Sequence, residues 1–330
     1  VNRNLIKAIS RFPTLKIAVI GDFMLDEFAF GEISRVSREA PVLILSYRDS
    51  RFCPGGAANT VANTAALGTM VYPVGIVGDD YQSEQLLSLW NSNVAKDFVI
   101  RDKSQQITRK TRILAGSFHS FQQQVVRMDY ESPISMDHQL ENGLAQNIRL
   151  AAEQSNALII SDYSLGTLTP GIISKSIQAA LDHDIPLIVD SRDHPDIYRG
   201  ATTVTPNISE VEKTLGKRLG IQDEALDQYG PHLRKNWGVE ALLVTRGKLG
   251  MSLFTESGIH HYPPFGMDEA VDVTGAGDTV ASIYATGIAS GLDFRGSALL
   301  ANIAGGIVVT KKGTATVSTD ELRNALEGIK

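Results

Sequence analysis

Short, almost uninterrupted apolar runs alternate with amphipathic stretches along most of this chain. The runs at 16–20, 71–77, 157–161, 186–190, 202–205 and 241–245 read as strands buried on both faces. Between them, 57–67, 80–93, 136–154, 171–183, a stretch beginning near Asn207, and 222–237 read as helices. A short helix at 3–11 opens the chain, and helices at 278–290, 294–310 and 319–328 close it, the last capped by Ser318. Gly68 is placed just past the end of the 57–67 helix. This order predicts an α/β fold with a central, mostly parallel sheet covered by helices on both faces.

Three segments depart from that pattern. Residues 42–48, 107–114 and 123–129 alternate polar and apolar positions, as strands with one wet face do. They are assigned to a small separate sheet that covers the site as a lid. Pro54-Gly55-Gly56 is read as a break in the chain before a helix opening at Ala57.

Composition narrows the partners. A net charge of −6 argues against nonspecific nucleic-acid binding, so a polyanionic ligand has to be held by local basic clusters. Cys53 is the one cysteine, which excludes an intrachain disulfide and suits the reducing cytoplasm expected here. No apolar run approaches the ~20 residues of a membrane span. Val1 in place of Met suggests a processed start. The histidines show no ligand spacing, and adjacent His260 and His261 on a strand would face opposite ways. No metal site built from His or Cys is expected.

Candidate chemistry gathers at strand ends. Asp22, Asp162, Asp190 and Asn207 each follow a strand, where α/β sheets form their clefts. In 271–279 the glycines of Gly275-Ala276-Gly277 can turn main-chain N–H groups toward one point at a helix start, which makes an anion pocket. Asp278 beside it would oppose a phosphate unless it takes a proton from an attacking hydroxyl, or it is simply a helix cap. Gly55, Gly56 and Asn59 would let a sugar approach bare backbone and hydrogen-bond to an amide, or they mark a tightly packed turn. Asp22 would take vicinal hydroxyls or form a turn.

Asn207 and Glu210 share a helical face and would hold magnesium-bound waters, although the spacing fits a capping box equally well. Thr245, Gly247 and Gly250 would border a nucleotide or form a solvated turn. Arg35 and Arg38, with Lys110 and Arg112 on one lid face, would grip a phosphate or serve as surface charge. The chain has no Gly-x-x-x-x-Gly-Lys-Ser/Thr loop and no Gly-x-Gly-x-x-Gly fingerprint.

Taken together and in order, Gly-Asp at 21–22, Gly-Gly-Ala-Ala-Asn at 55–59, Thr-Pro-Asn-x-x-Glu at 205–210 and Asp-x-Thr-Gly-Ala-Gly-Asp at 272–278 resemble the ribokinase-like (PfkB) carbohydrate kinases. The resemblance runs from about 15 to 325. The stretches at 21–26, 37–41, 161–163 and 312–314 are similar to the branch that phosphorylates D-glycero-D-manno-heptose 7-phosphate. It implies a single three-layer kinase domain over 1–330, with lid strands from about 27–52 and 107–130.

The resemblance further implies ATP and Mg2+ as cofactors, with a monovalent cation such as K+ in many members. It implies Asp278 as general base and Gly275, Ala276 and Gly277 as the anion hole. Asp22, Gly55, Gly56 and Asn59 match sugar-binding positions, and Asp162 is added to them. Asn207 and Glu210 match the magnesium position, the metal being held through water. Thr245, Gly247, Gly250 and Asn302 match the nucleotide surround. Three departures stand out. Ala57 replaces a Lys found in many ribokinases, Arg38 stands where the branch commonly has Pro, and Asp190-Ser191-Arg192 replaces Asp-Pro-Lys, leaving Arg192 to face the ATP phosphates.

The chain lacks the His-x-Gly-His motif of a nucleotidyltransferase, so a monofunctional kinase is expected. The expected reaction phosphorylates the heptose's anomeric hydroxyl to give the 1,7-bisphosphate, toward ADP-heptose for lipopolysaccharide core. The alternatives are a kinase for another sugar, sugar phosphate or nucleoside, or a silent sugar-phosphate sensor. Exposed lid edges lead to the expectation of a homodimer paired through the lid.

Overall fold

Strand β1 (Lys16–Gly21) carries Ile17 and Val19 on one face and Ala18 and Ile20 on the other, and each pair enters a different hydrophobic core. A strand apolar on both sides has to be covered twice, and that requirement sets the layers. The computed structural model describes residues 2–116, 123–266 and 270–328. The first residue and positions 117–122 of the expected lid lie outside them.

Helix α1 (Asn2–Ile9) precedes β1. The chain then leaves the sheet through β2 (Phe23–Val36) and returns along β3 (Leu43–Gly56) into α2 (Ala57–Ala66). Next come β4 (Met70–Val77), α3 (Tyr81–Ser88), β5 (Val99–Arg101), β6 (Thr108–Ala115) and β7 (Gln123–Tyr130). A regular alternation follows: α4 (His138–Glu153), β8 (Ala157–Asp162), α5 (Pro170–Asp182), β9 (Leu187–Ser191), β10 (Thr203–Val204), α6 (Ile208–Leu215), α7 (Asp223–Trp237) and β11 (Ala241–Thr245). The hairpin β12 (Met251–Thr255) and β13 (Gly258–Tyr262) leads to α8 (Ala276–Ala289), α9 (Phe294–Val308) and α10 (Thr319–Gly328).

The main sheet has nine strands in the order β13-β12-β11-β10-β9-β8-β1-β4-β5, parallel except for the β12–β13 hairpin. Helices α1, α2, α3, α8, α9 and α10 cover one face, and α4 to α7 cover the other. The second sheet, β3-β2-β6-β7, is the expected lid. No helix among the described residues is long and apolar enough to cross a membrane.

Two expectations need correction. Pro54-Gly55-Gly56 does not break the chain before the helix; β3 runs through it to Gly56. β3 is an edge strand, where a proline without an N–H costs no ladder bond. The pattern along the chain also gave no strand at 23–36. β2 is buried at its root and exposed at its tip, so neither a continuous apolar run nor a clean alternation spans it.

Candidate active site

Asp278 lies in the first turn of α8, 3% exposed. Its neighbours come from elements far away in sequence. Asn59 Nδ2 donates to Asp278 Oδ2 at 2.7 Å, Tyr163 Oη donates to Oδ1 at 2.7 Å, and Thr60 Oγ1 reaches Oδ1 at 3.3 Å. Burial pushes the Asp278 carboxyl up to about 6, against the pull of these donors and of Arg192. An acid tuned there is still ionised at neutral pH but basic enough to accept a proton.

The helix start is built for closeness. Gly275 has φ +77°, and a Cβ added to it would sit 2.5 Å from Asn59 Nδ2. Bare backbone therefore lets α8 and α2 meet, and Thr279 Oγ1 to Asn63 Oδ1 (2.8 Å) and Ser282 Oγ to the Thr60 carbonyl (3.1 Å) lock them together. The N–H of Ala276 donates to the Val273 carbonyl at 3.2 Å, so it does not stand free beside those of Gly275 and Gly277 as expected. Those two meet no acceptor among the described residues.

Asp278 opens onto a cleft between α8 and the lid. Asp26, Gly55 and Gly56 line it from β2 and β3, Lys110, Arg112 and Arg127 from β6 and β7, and Tyr163 and Arg192 from the ends of β8 and β9. Four cations thus face two carboxylates in a chain of net charge −6. Arg112 and Arg127 stand directly opposite each other across β6 and β7. Like charges so placed are unfavourable unless something anionic lies against them. Arg112 pairs with Asp26 at 2.9 Å and Arg127 with Asp129 at 2.8 Å. Burial first, then the charge of Arg192, lowers the Lys110 ammonium below its ordinary range.

Asn59, expected on a sugar, instead spends its amide on the base and on Asn63, whose Nδ2 donates to Asn59 Oδ1 at 3.2 Å. Asp22, 2% exposed, accepts from the N–H groups of Tyr163, Leu165 and Thr167 at 2.9, 3.1 and 3.1 Å. Asp162 accepts from Ser164 N, Ser191 Oγ and Tyr198 Oη at 2.9, 2.9 and 2.7 Å. Asp22 and Asp162 both hold the loop after β8, and neither is among the residues that line the cleft. Arg35 sits on the exposed outer part of β2 and Arg38 just beyond it. With about 3.3 Å per residue, Arg35 is roughly 30 Å along the strand from Asp26 and outside this cleft.

Asn207 and Glu210 form the capping box. Asn207 N and Nδ2 donate to Glu210 at 2.7 and 2.6 Å, and Glu210 N donates to Asn207 Oδ1 at 3.0 Å. Burial raises Glu210 to about 7. Burial, then the charges of Asp278 and Glu210, raises nearby Asp190 to about 8. Thr245 bridges to Asn207, Gly247 and Gly250 make the tight turn after β11, and Asn302 Nδ2 donates to the Pro263 carbonyl at 2.8 Å. Of the residues assigned to the nucleotide, Arg192 alone lines the cleft.

Asp26, Arg127, Thr60 and Tyr163 were given no role on the sequence. Asp26 and Tyr163 stand in stretches that were singled out, Asp26 in 21–26 and Tyr163 in 161–163. Arg127 sits on a segment read as a lid strand, one residue type among its polar alternation.

A family model described as pfkB family carbohydrate kinase matches residues 14–321. The chain is 38% identical over 330 residues to "Bifunctional protein HldE" of Pelobacter propionicus, covering 99% of this chain and 66% of that protein. It thus spans about two thirds of that relative's length. Arabidopsis thaliana ribokinase, solved with ribose and ATP, superposes with a TM-score of 0.73 at 18% identity, over 95% of this chain and 99% of its own. Escherichia coli phosphofructokinase-2, solved with potassium, gives a TM-score of 0.77 at 18% identity, over 95% and 98%. At that identity the two structures speak for the fold.

Proposed function

This chain belongs to the pfkB family of carbohydrate kinases, and on that premise we propose that it transfers the γ-phosphate of ATP to the anomeric hydroxyl of D-glycero-D-manno-heptose 7-phosphate. The observation that carries this reading is a buried carboxylate, Asp278, opening onto a cleft lined by Lys110, Arg112, Arg127 and Arg192. A nucleotide alone does not call for cations on both the lid and the sheet side. A phosphorylated acceptor does.

Asp278 accepts the proton of the attacking hydroxyl, a contribution of roughly 10²–10⁴ in rate. The N–H groups of Gly275 and Gly277 and the α8 start face the charge that develops on the transferring phosphoryl. Asp26 and the bare backbone at Gly55 and Gly56 meet the sugar; a Cβ on Gly55 would lie 3.0 Å from the Asp26 carboxyl carbon. Arg112, Arg127 and Lys110 take the phosphate already on the acceptor, and Arg192 takes the ATP side. The lid excludes water as a competing acceptor.

The oxygen donors Asn207, Glu210 and Asp190 fit a hard divalent cation held partly through water, since both carboxylates among them are raised by burial and by like charges that a cation would offset. Mg2+ supplies neutralisation of the nucleotide's β- and γ-oxygens when bound. We read residues 1–330 as one kinase unit. Two copies pair through lids whose edge strands, β3 and β7, expose Tyr47, Val126 and Met128.

The test is a panel of acceptors in a coupled ADP assay. Turnover of sugar 7-phosphates well above that of unphosphorylated sugars is expected. Turnover of a free sugar or nucleoside beside failure of every 7-phosphate would reject the assignment of acceptor.

A further inference from the structure

Tyr163 stands between the two sides of the cleft. It is the first residue beyond β8, and its hydroxyl donates to Asp278 Oδ1 at 2.7 Å. Arg192 lies over its ring, the guanidinium carbon 4.3 Å from the centroid. We propose that Tyr163 is the positioning residue of this site, its hydroxyl fixing the Asp278 carboxylate for the incoming sugar and its ring seating Arg192 toward the nucleotide phosphates. The proposal rests on the kinase reading above and deepens it.

The loop around Tyr163 is held as a positioning element has to be. Asp22 accepts the N–H groups of Tyr163, Leu165 and Thr167, and Asp162 accepts that of Ser164. Ser164 is a non-glycine residue at φ +58°, a conformation kept only where the surroundings impose it. Arg192 is tied to the same place, since its N–H donates to the Asp162 carbonyl at 3.2 Å. The Asp22 carboxylate thus fixes Tyr163, and the Asp162 main chain fixes Arg192.

The phenol keeps its proton, and so its power to donate, at any working pH. Burial first, and the Asp278 charge second, holds its proton far above the ordinary tyrosine range. A donor of that kind favours the ionised form of its acceptor. The charged groups facing Asp278 and Tyr163 are Arg192 from the end of β9 and Asp190 on β9, itself faced by Glu210 on α6, with Asp26, Lys110, Arg112 and Arg127 from the lid. A cation over the aromatic face also makes the hydroxyl a stronger donor, which links the nucleotide side of the cleft to the base.

Tyr163→Phe removes the hydroxyl and keeps the ring, and Tyr163→Leu removes both. In Y163F, kcat should fall about tenfold and the acid limb of its pH profile should move up by about one unit, with the KM for ATP within about twofold of the parent. Y163L should add a rise of about fivefold in the KM for ATP, the loss of a stacked cation. A ring that only packs would leave the acid limb of Y163F in place.

The carboxyl-carbon titration of Asp278, assigned by its loss in D278N, reads the same contact without any turnover. It should move up in Y163F, and replacing Tyr163 by 3-fluorotyrosine, a more acidic phenol of nearly the same shape, should move it down. Unchanged kcat, acid limb and Asp278 titration in Y163F would overturn the proposal. An inactive wild type whose Asp278 titration still moves would overturn the kinase reading and leave the contact established.

Discussion

Asp278 carries a free-energy conflict that its function would use. Burial drives the carboxyl toward its neutral form, while Asn59, Tyr163 and Thr60 draw it back, and the balance falls at about 6. A base must be unprotonated to act, so kcat/KM should fall as pH drops through about 6 and level off above it; a steady-state pH profile measures this. The residue itself was legible in the sequence, as part of Gly-Ala-Gly-Asp before an apolar helix. What Asn59 and Asp22 do was not. Their partners lie 219 and 141 residues away, so no local pattern could tell a sugar ligand from a side chain committed to Asp278 or to the loop after β8. Short polar residues beside glycines mark the neighbourhood of a site, and the fold decides which of them face the ligand.

Helix α8 depends on how near α2 its first residue can come. In Gly275→Ala the new Cβ would fall within 2.5 Å of Asn59 Nδ2 on a backbone of φ +77°. That change should cost on the order of 1–3 kcal/mol of stability, read as a lower urea midpoint, and most of the activity, because it displaces the amide that holds the base. On the lid, Arg127→Ala should raise the KM for a 7-phosphorylated acceptor at least tenfold and leave the KM for ATP nearly unchanged, which steady-state kinetics with each substrate varied in turn will show.

Elements with one consistent environment were readable. α4, α7 and α10 fall within two residues of the expected bounds, because an amphipathic period and a cap specify them. The residue pattern did not give β2, since its root belongs to the core and its tip to solvent; only the resemblance put lid strands at about 27–52. Arg127 went unassigned for a related reason. Every residue of β7 is exposed, so polarity along that strand does not distinguish a ligand-facing arginine from surface charge.

Across the whole molecule, the charge held inside the cleft should set how stability responds to pH. Asp278 and Asp190 titrate at about 6 and about 8 in the folded chain and near 3.8 when unfolded. The folded chain then binds more protons than the unfolded one between about pH 4 and 8, so stability is lost as pH rises through that window. For Asp278 alone the effect is on the order of 3 kcal/mol. The urea midpoint should be lower at pH 8.5 than at pH 5.5, and the difference should shrink in Asp278→Asn. Carboxylates held low, such as Asp193 and Asp272, act only below this range. If lids pair, Val126→Glu combined with Met128→Glu should convert dimer to monomer in sedimentation equilibrium.

The layered sheet was legible because burial on both faces leaves continuous apolar runs, and the lid because its strands break that pattern. Of the cleft's four cations, Lys110, Arg112 and Arg192 were named from the sequence and Arg127 was not, since its place opposite Arg112 depends on strand register. Proton acceptance by Asp278 is the step on which the proposed transfer turns. Its most direct test compares Asp278→Asn with the parent for phosphoryl transfer to the sugar phosphate and for equilibrium binding of ATP. Transfer should fall by about 10³, within the range for a lost general base, with ATP affinity within about twofold. A variant that transfers phosphate at the parent rate would contradict it.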